Sequence, residues 1–209
     1  MCLLLKNAMK FIAKFLSFLF HPLLLPTYAT IIIVMANPYW FGSYKQGQFA
    51  LLSIVTLLTF FFPVITVLLM KALDFVDDIY LRDQKQRFMP FIAIMVYYIW
   101  AFMVLRSQQL PTLILWMMLG SCMAVVFAFI ANIVMKISLH ALGMGCLVAV
   151  IIKCVMISYS NMIPLMLFII FMAGIIGSVR LYLKEHEPQE IFMGYLVGFI
   201  GMMVSGWFY

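Results

Sequence analysis

The sequence predicts an all-α fold, a polytopic transmembrane helical bundle in which residues 1–209 form a single membrane-embedded domain. Hydrophobic residues make up 67% of the 209 positions and charged residues only 10%, which gives a mean hydropathy of +1.15. Apolar runs long enough to cross a bilayer, which takes about 20 residues, recur along the chain. These runs are continuous rather than alternating, and this disfavours a transmembrane β-barrel.

The first twenty residues have the pattern of an amphipathic helix at the membrane interface. Three lysines recur every four residues and therefore share one helix face: Lys6, Lys10 and Lys14. Apolar side chains cover much of the remaining surface, as in helices that lie in the interfacial plane. His21-Pro22 and Pro26 interrupt the pattern where the helix would turn into the membrane. We interpret His21 as an interfacial residue at this break.

Seven candidate spans follow the amphipathic helix, and the third of them is short. Their approximate ranges are 22–41, 49–70, 90–106, 111–135, 140–158, 162–179 and 190–208. Since boundaries read from hydropathy are approximate, the prediction is a bundle of six to seven spans. Gly194-x3-Gly198 in the last span is a small-residue pattern that permits close helix packing.

The acidic residues place two distant segments on the same side of the membrane. All seven lie in two places: Asp74, Asp77, Asp78 and Asp83 after the second span, and Glu185, Glu187 and Glu190 after the sixth. Four crossings separate these segments, so both emerge on one side. The joint at 136–140 follows the fourth span and reaches that side too. We therefore expect three polar segments to meet at one membrane face.

The composition also argues against several kinds of site. The net charge of +6 is expected to set topology and to contact anionic lipid, and no nucleic-acid partner is expected. The four cysteines have no metal-ligand or redox spacing. We interpret Asp77, Asp78 and Asp83 as salt-bridge partners or part of a solvated loop rather than a metal site, because no third type of ligand is evident. We expect neither a metal nor a cofactor.

The three polar segments carry residues suited to phosphate chemistry. The expected set is Arg82, Lys85 and Arg87 from the first segment, Lys136, Ser138 and His140 from the second, and Arg180, His186 and Glu190 from the third. Cations would hold the phosphate oxygens. One histidine would attack phosphorus and the other would protonate the leaving oxygen. The alternatives are an ion pair capping the last span, inside-positive anchors and, for Ser138, an ordinary helix cap.

The local sequence around His186 fits the role of a nucleophile. Glu187-Pro188-Gln189-Glu190 has the signals of a helix start, with proline in the first turn. His186 would lie just before this helix, and Glu190 at its third position would reach back toward the imidazole. A carboxylate on one ring nitrogen fixes the tautomer and leaves the other nitrogen free to attack.

The same residues carry a resemblance to a known family. Arg180-x5-His186-x3-Glu190 resembles the third signature of the type-2 phosphatidic acid phosphatase superfamily, Ser-Arg-x5-His-x3-Asp. Ser138-Leu139-His140 resembles its second signature, Pro-Ser-Gly-His, and the stretch 82–90 looks like a degenerate first signature, Lys-x6-Arg-Pro. The similarity runs from about Arg82 to the C-terminus, and the chain looks like small bacterial membrane members of that superfamily.

The resemblance implies a lipid phosphatase that hydrolyses a phosphomonoester or diphosphate through a phosphohistidine, without metal. By it, His186 is the nucleophile, Glu190 orients His186 and His140 is the general acid. The phosphate ligands would be Arg87, Arg180 and Ser138, with Lys85, Arg82 and Lys136 as further cations. The chain departs from the signatures at several positions, among them Leu139 for Gly and Glu190 for Asp.

These departures motivate the alternative, a non-catalytic relative that binds or translocates anionic phospholipid. The resemblance implies an integral protein of the bacterial inner membrane with a lipid phosphate as substrate. Basic residues alone favour a cytoplasmic site, whereas bacterial members of the superfamily mostly carry it on the outer face, so the side stays open. The oligomeric state stays open as well, with a homo-oligomer as one alternative.

Overall fold

The computed structural model describes residues 2–41, 45–76, 84–158 and 160–209, and within these ranges the chain is all-α. The predicted fold class is therefore confirmed. Arg82 lies outside the described residues, and of Lys85 only the backbone is described. The predicted acidic cluster that includes Asp77, Asp78 and Asp83 also lies outside them.

Nine α-helices occur in the described ranges. They are α1 (Cys2–Leu19), α2 (Leu25–Ala36), α3 (Lys45–Thr56), α4 (Phe62–Ala72), α5 (Phe88–Arg106), α6 (Thr112–Val134), α7 (Leu139–Ile157), α8 (Ile163–Tyr182) and α9 (Pro188–Ser205). Six helical stretches are long and apolar enough to cross a membrane: Lys6–Ala36, Gly47–Ala72 and the four helices α5 to α8. The protein is therefore an integral membrane protein.

Large apolar side chains cover the outside of these helices. On α8, the exposed fractions of Leu167, Phe168 and Phe171 lie between 54% and 67%. Such side chains face lipid at no cost, because the bilayer interior is as apolar as they are.

The first and the last membrane span differ from the prediction. The predicted last span at 190–208 corresponds to α9, a helix of 18 residues that is not among the six. At the other end, the first apolar stretch includes α1 as well as α2, because a short turn, Pro22–Leu24, connects them. The break predicted at His21-Pro22 is thus present, whereas the interfacial position of α1 stays a prediction.

The apolar stretch Gly47–Ala72 contains a wider turn of π-helix, Leu57–Phe61. Pro63 follows this turn and lacks the N–H that a regular helix would use, which is a common reason for such a turn. Thr59, fully buried in the turn, donates its hydroxyl to the Leu23 carbonyl at 3.4 Å. The wider turn therefore contacts the break that follows α1.

The centre of the bundle is formed by α6, α7 and α9, whose contact faces are lined by small residues. A Cβ atom on Gly194 would lie 2.6 Å from the Ser138 carbonyl oxygen, and one on Gly198 would overlap the Leu142 carbonyl oxygen. The predicted small-residue interface is therefore confirmed. This close approach brings the start of α7 beside the start of α9.

Candidate functional site

A cavity of about 680 Å³ opens at the end of the bundle where α7 and α9 begin and where α1 and α8 end. Its charged, histidine and hydroxyl-bearing lining residues are Lys14, Ser17, His21, Arg87, Tyr98, Ser121, His140, Arg180, Glu185 and His186. Deeper in the bundle the lining is mostly apolar and reaches Val150 on α7. From Leu139 to Val150 the helix rises about 16 Å, at 1.5 Å for each of eleven residues. The cavity is therefore amphiphilic and extends about halfway through a bilayer core.

His186 reaches the cavity because α8 ends in a tight reversal. Lys184 adopts a left-handed backbone (φ 55°). The Lys184 N–H donates to Leu181 O at 2.9 Å, and the Glu185 N–H donates to Arg180 O at 3.2 Å. This is the Schellman arrangement, which ends a helix and turns the chain back. His186 follows directly and lies between α8 and α9.

The His186 side chain is 4% exposed and is held by Glu190. Its Nδ1 atom lies 2.6 Å from Glu190 Oε2, and the same oxygen accepts from the Glu187 N–H at 3.3 Å. Pro188 is the first residue of α9 and Glu190 the third, so the predicted helix start is confirmed. With Nδ1 engaged by the carboxylate, Nε2 is the nitrogen left for a ligand.

Electrostatics favour the neutral form of the His186 ring. Burial lowers the pKa of His186 well below its ordinary value, and the charges of Arg87, Arg180 and Lys136 act in the same direction. The Glu190 carboxylate, 2.6 Å from Nδ1, opposes them, and burial is the largest of the effects. In the neutral ring, Nδ1–H donates to Glu190 and Nε2 keeps its lone pair.

The second polar segment is joined to the third by its backbone. Ser138, fully buried, caps α7 by accepting from the Ala141 N–H at 3.4 Å. The Ser138 N–H donates to the Glu190 carbonyl oxygen at 3.1 Å. Lys136 Nζ donates to the Glu185 carbonyl oxygen at 3.0 Å. Neither Ser138 nor Lys136 lines the cavity, so the contacts shown for these two predicted phosphate ligands hold the loops together.

His140, at the start of α7, lines the cavity with one ring nitrogen already engaged. Its Nε2 lies 3.0 Å from the Ser17 carbonyl oxygen. A carbonyl only accepts, so Nε2 carries the proton and donates it. His140 and His186 both line the cavity. The two histidines predicted to work together therefore meet at one cavity.

The two predicted arginines bond to different segments at the polar end of the cavity. Arg87 is 5% exposed and donates from Nη1 to the Ile137 carbonyl oxygen at 2.9 Å. Arg180 donates from Nη1 to Ser17 Oγ at 3.3 Å and lies 3.9 Å from the Glu185 carboxylate. Its Nε atom is buried without a hydrogen-bond partner among the described residues. Both arginines line the cavity.

Sequence reasoning missed the contribution of the N-terminal segment. Lys14, Ser17 and His21 all line the cavity. Lys14 and Ser17, three residues apart, share one face of α1, whereas His21 lies in the break that follows α1. Within the described residues no group of three His, Cys, Asp or Glu could hold a metal ion.

Comparisons with family models, with curated proteins and with solved structures give no match for this chain. The resemblance to the phosphatase superfamily therefore stays a prediction from the signatures. The function has to be argued from the cavity and its residues.

Proposed function

We propose that the protein is an integral-membrane phosphatase that hydrolyses an amphiphilic phosphate or diphosphate through a phosphohistidine, without metal. One observation carries the proposal. Two histidines and two arginines surround the polar end of a cavity whose deeper part is apolar. An anionic headgroup would bind among the cations, and its hydrocarbon tail would extend between the helices.

The proposed chemistry has two steps. In the first, His186 Nε2 attacks phosphorus, a P–N bond forms, and the bond from phosphorus to the lipid or diphosphate oxygen breaks. With the anionic phosphate bound beside it, His140 takes up a second proton from solvent at Nδ1 and donates it to the departing oxygen, while its Nε2–H stays on the Ser17 carbonyl. In the second step, water attacks phosphorus, returns a proton to His140 and displaces His186. The net reaction adds one water and releases inorganic phosphate.

The other residues have supporting roles in this proposal. Arg87 and Arg180 hold the phosphate oxygens and oppose the charge that develops there. Glu190 orients His186 through the 2.6 Å contact. Ser138 and Lys136 act as positioning residues, because their contacts join the loops that carry the histidines.

The proposal is tested by phosphate release from purified full-length protein in detergent with a chelator present. The panel contains an isoprenyl diphosphate, a phosphatidylglycerol phosphate, a phosphatidate and a phosphorylated lipid A. We expect turnover of at least one lipid and inhibition by vanadate. His186→Ala should lower the rate by about 10³-fold or more, whereas Gln189→Ala, an exposed neighbour, should leave it unchanged. Full activity of His186→Ala would exclude the nucleophile.

A second candidate is a protein that binds or translocates anionic phospholipid without turnover. The specific observation in its favour is that His140, Arg87 and Arg180 already have protein partners. Leu139 also stands next to His140, where the superfamily signature has glycine. Incubation with lipid labelled in its phosphate separates the two candidates. Label on His186 supports the phosphatase, whereas binding without label or turnover supports the second candidate.

A further inference from the structure

The third histidine of the chain, His21, lies at the same cavity as the other two. It occupies the break between α1 and α2, and the cavity is lined by His21, His140 and His186 alike. The chain has three histidines in 209 residues, so all of them converge on one place. The superfamily signatures contain no counterpart of His21.

The surroundings of His21 fix its ring. The centroid of the ring lies 5.9 Å from that of His140 and 6.3 Å from that of Phe60, with edge-to-face angles of 78° and 77°. The charge of Arg180 is close enough to act on the ring. His21 is therefore placed among the groups that would hold an anion.

The backbone determines which nitrogen of His21 carries the proton. The Leu23 N–H donates to His21 Nδ1 at 3.4 Å, so that Nδ1 caps the turn Pro22–Leu24. In a neutral imidazole with Nδ1 accepting, the proton is on Nε2. Nε2 is then a donor, and an anion is the ligand that such a donor favours.

We propose that His21 is a third ligand of the substrate phosphate and donates a hydrogen bond from Nε2 to a phosphate oxygen. This proposal rests on the proposed function, because it assigns His21 to the same headgroup site. His21 itself transfers no proton. Its neutral ring donates a hydrogen bond beside Arg180, and His140 carries out the proton transfer. In this way the segment that follows α1 becomes part of the binding site.

The competing explanation is that His21 only caps the short turn. Two substitutions separate these roles, because each retains one nitrogen position of the ring. Asn places its amide near the position of Nδ1 and is a preferred cap residue, but it has no group at Nε2. Gln places an N–H near the position of Nε2 and is a poor cap. A capping role predicts that Asn replaces His21 better, and a ligand role predicts that Gln does.

The experiment measures the dissociation constant of orthovanadate for the full-length wild type, His21→Asn and His21→Gln. We expect His21→Asn to bind about tenfold more weakly or worse, as for a lost hydrogen bond to a charged group, and His21→Gln to bind more tightly than His21→Asn. Equal binding by the two variants, or tighter binding by His21→Asn, would overturn the proposal. Thermal unfolding of each variant checks that it is folded.

A measurement on the wild type covers the case in which a variant does not fold. Diethyl pyrocarbonate modifies neutral histidines, and mass spectrometry reports modification of His21. Vanadate should protect His21, and unchanged modification would overturn the proposal. If the wild type binds vanadate but releases no phosphate from any lipid, the proposed activity fails while the test of His21 stands. If the wild type binds no vanadate, both fail.

Discussion

The two walls that carry the polar end of the cavity are held in different ways. The wall formed by α7 and α9 is packed through glycines, and it supplies His140, His186 and Glu190. The N-terminal wall, residues 14–21, contacts the site through hydrogen bonds from His140 and Arg180 to Ser17. Its outer face is exposed and apolar, with Phe15 55% and Phe18 69% exposed.

This difference indicates that the two walls have different roles in the proposed site. A glycine-packed wall has little freedom to move, because protein interiors are close-packed, and this suits a nucleophile that needs fixed geometry. The N-terminal wall is joined by hydrogen bonds to Ser17 and by the partly buried side chains of Leu16 and Phe20, so removal of the Ser17 hydroxyl alone should alter binding more than folding. The predictions below test this division, beginning with the largest expected effect.

The pair of His186 and Glu190 is the most sensitive point of the glycine-packed wall. Glu190→Gln removes the carboxylate that lies 2.6 Å from Nδ1, so the ring loses its orientation and tautomer. We expect kcat to fall on the order of 10²-fold or more. Phosphate release by purified variants measures this. Glu190→Asp keeps the charge at shorter reach and should recover part of the rate, and equal rates for both variants would contradict the orienting role.

The packing of the same wall should be intolerant of one added methyl group. A Cβ on Gly198 would overlap the Leu142 carbonyl oxygen, and backbone moves less easily than a side chain. Gly198→Ala should therefore destabilise the protein by about 1–3 kcal/mol, measured as a lowered unfolding temperature in detergent. Gly174→Ala on α8 is the matched control, because no atom lies within 4 Å of the added Cβ. Similar unfolding temperatures for both variants would refute the close packing.

In the N-terminal wall, a substitution should change binding and leave folding intact. Ser17→Ala removes the hydroxyl that accepts from Arg180 at 3.3 Å, but it keeps the carbonyl that accepts from His140. We expect KM to rise by up to about tenfold, as for one lost hydrogen bond, with an unchanged unfolding temperature. Ser178→Ala is the control, since Ser178 is exposed and donates to the Gly174 carbonyl within its own helix. A loss of stability in Ser17→Ala would show that this wall also supports the fold.

The glycine-packed wall was predictable from sequence to a large extent. Hydropathy predicted the helices, and counting crossings predicted that His140 and His186 would meet. The helix-start signals around Pro188 predicted the reach of Glu190 to His186. These inferences succeed because periodicity and helix caps depend on residues close together in the sequence. The side on which a segment emerges depends only on the number of membrane crossings.

The N-terminal wall was largely invisible in the sequence. Ser17 holds His140 through a backbone carbonyl, and every residue has one, so no side-chain pattern can reveal it. His21 was interpreted as an interfacial residue because its role depends on which helices pack around the break. Lys136 and Ser138 were predicted as ligands from their position, but Lys136 donates to the distant Glu185 carbonyl, and Ser138 caps α7, the alternative that the sequence also offered.

The pH dependence of stability at His186 probes the glycine-packed wall without any substrate. Burial and three nearby cations lower the pKa of His186 in the folded protein, whereas the unfolded chain has the ordinary value of about 6.5. Above that pH neither state binds the proton. Below it the unfolded state binds the proton first, so stability is lost as the pH falls toward the folded value, by up to about 1.4 kcal/mol for each pH unit. The unfolding temperature of the wild type should therefore fall relative to that of His186→Gln between pH 7.5 and 5. A difference that stays constant over this range would mean that the pKa of His186 is the same in the folded and the unfolded chain. A difference that shifts in favour of the wild type as the pH falls would mean that Glu190 holds the ring protonated. Either result would contradict the lowered pKa of His186.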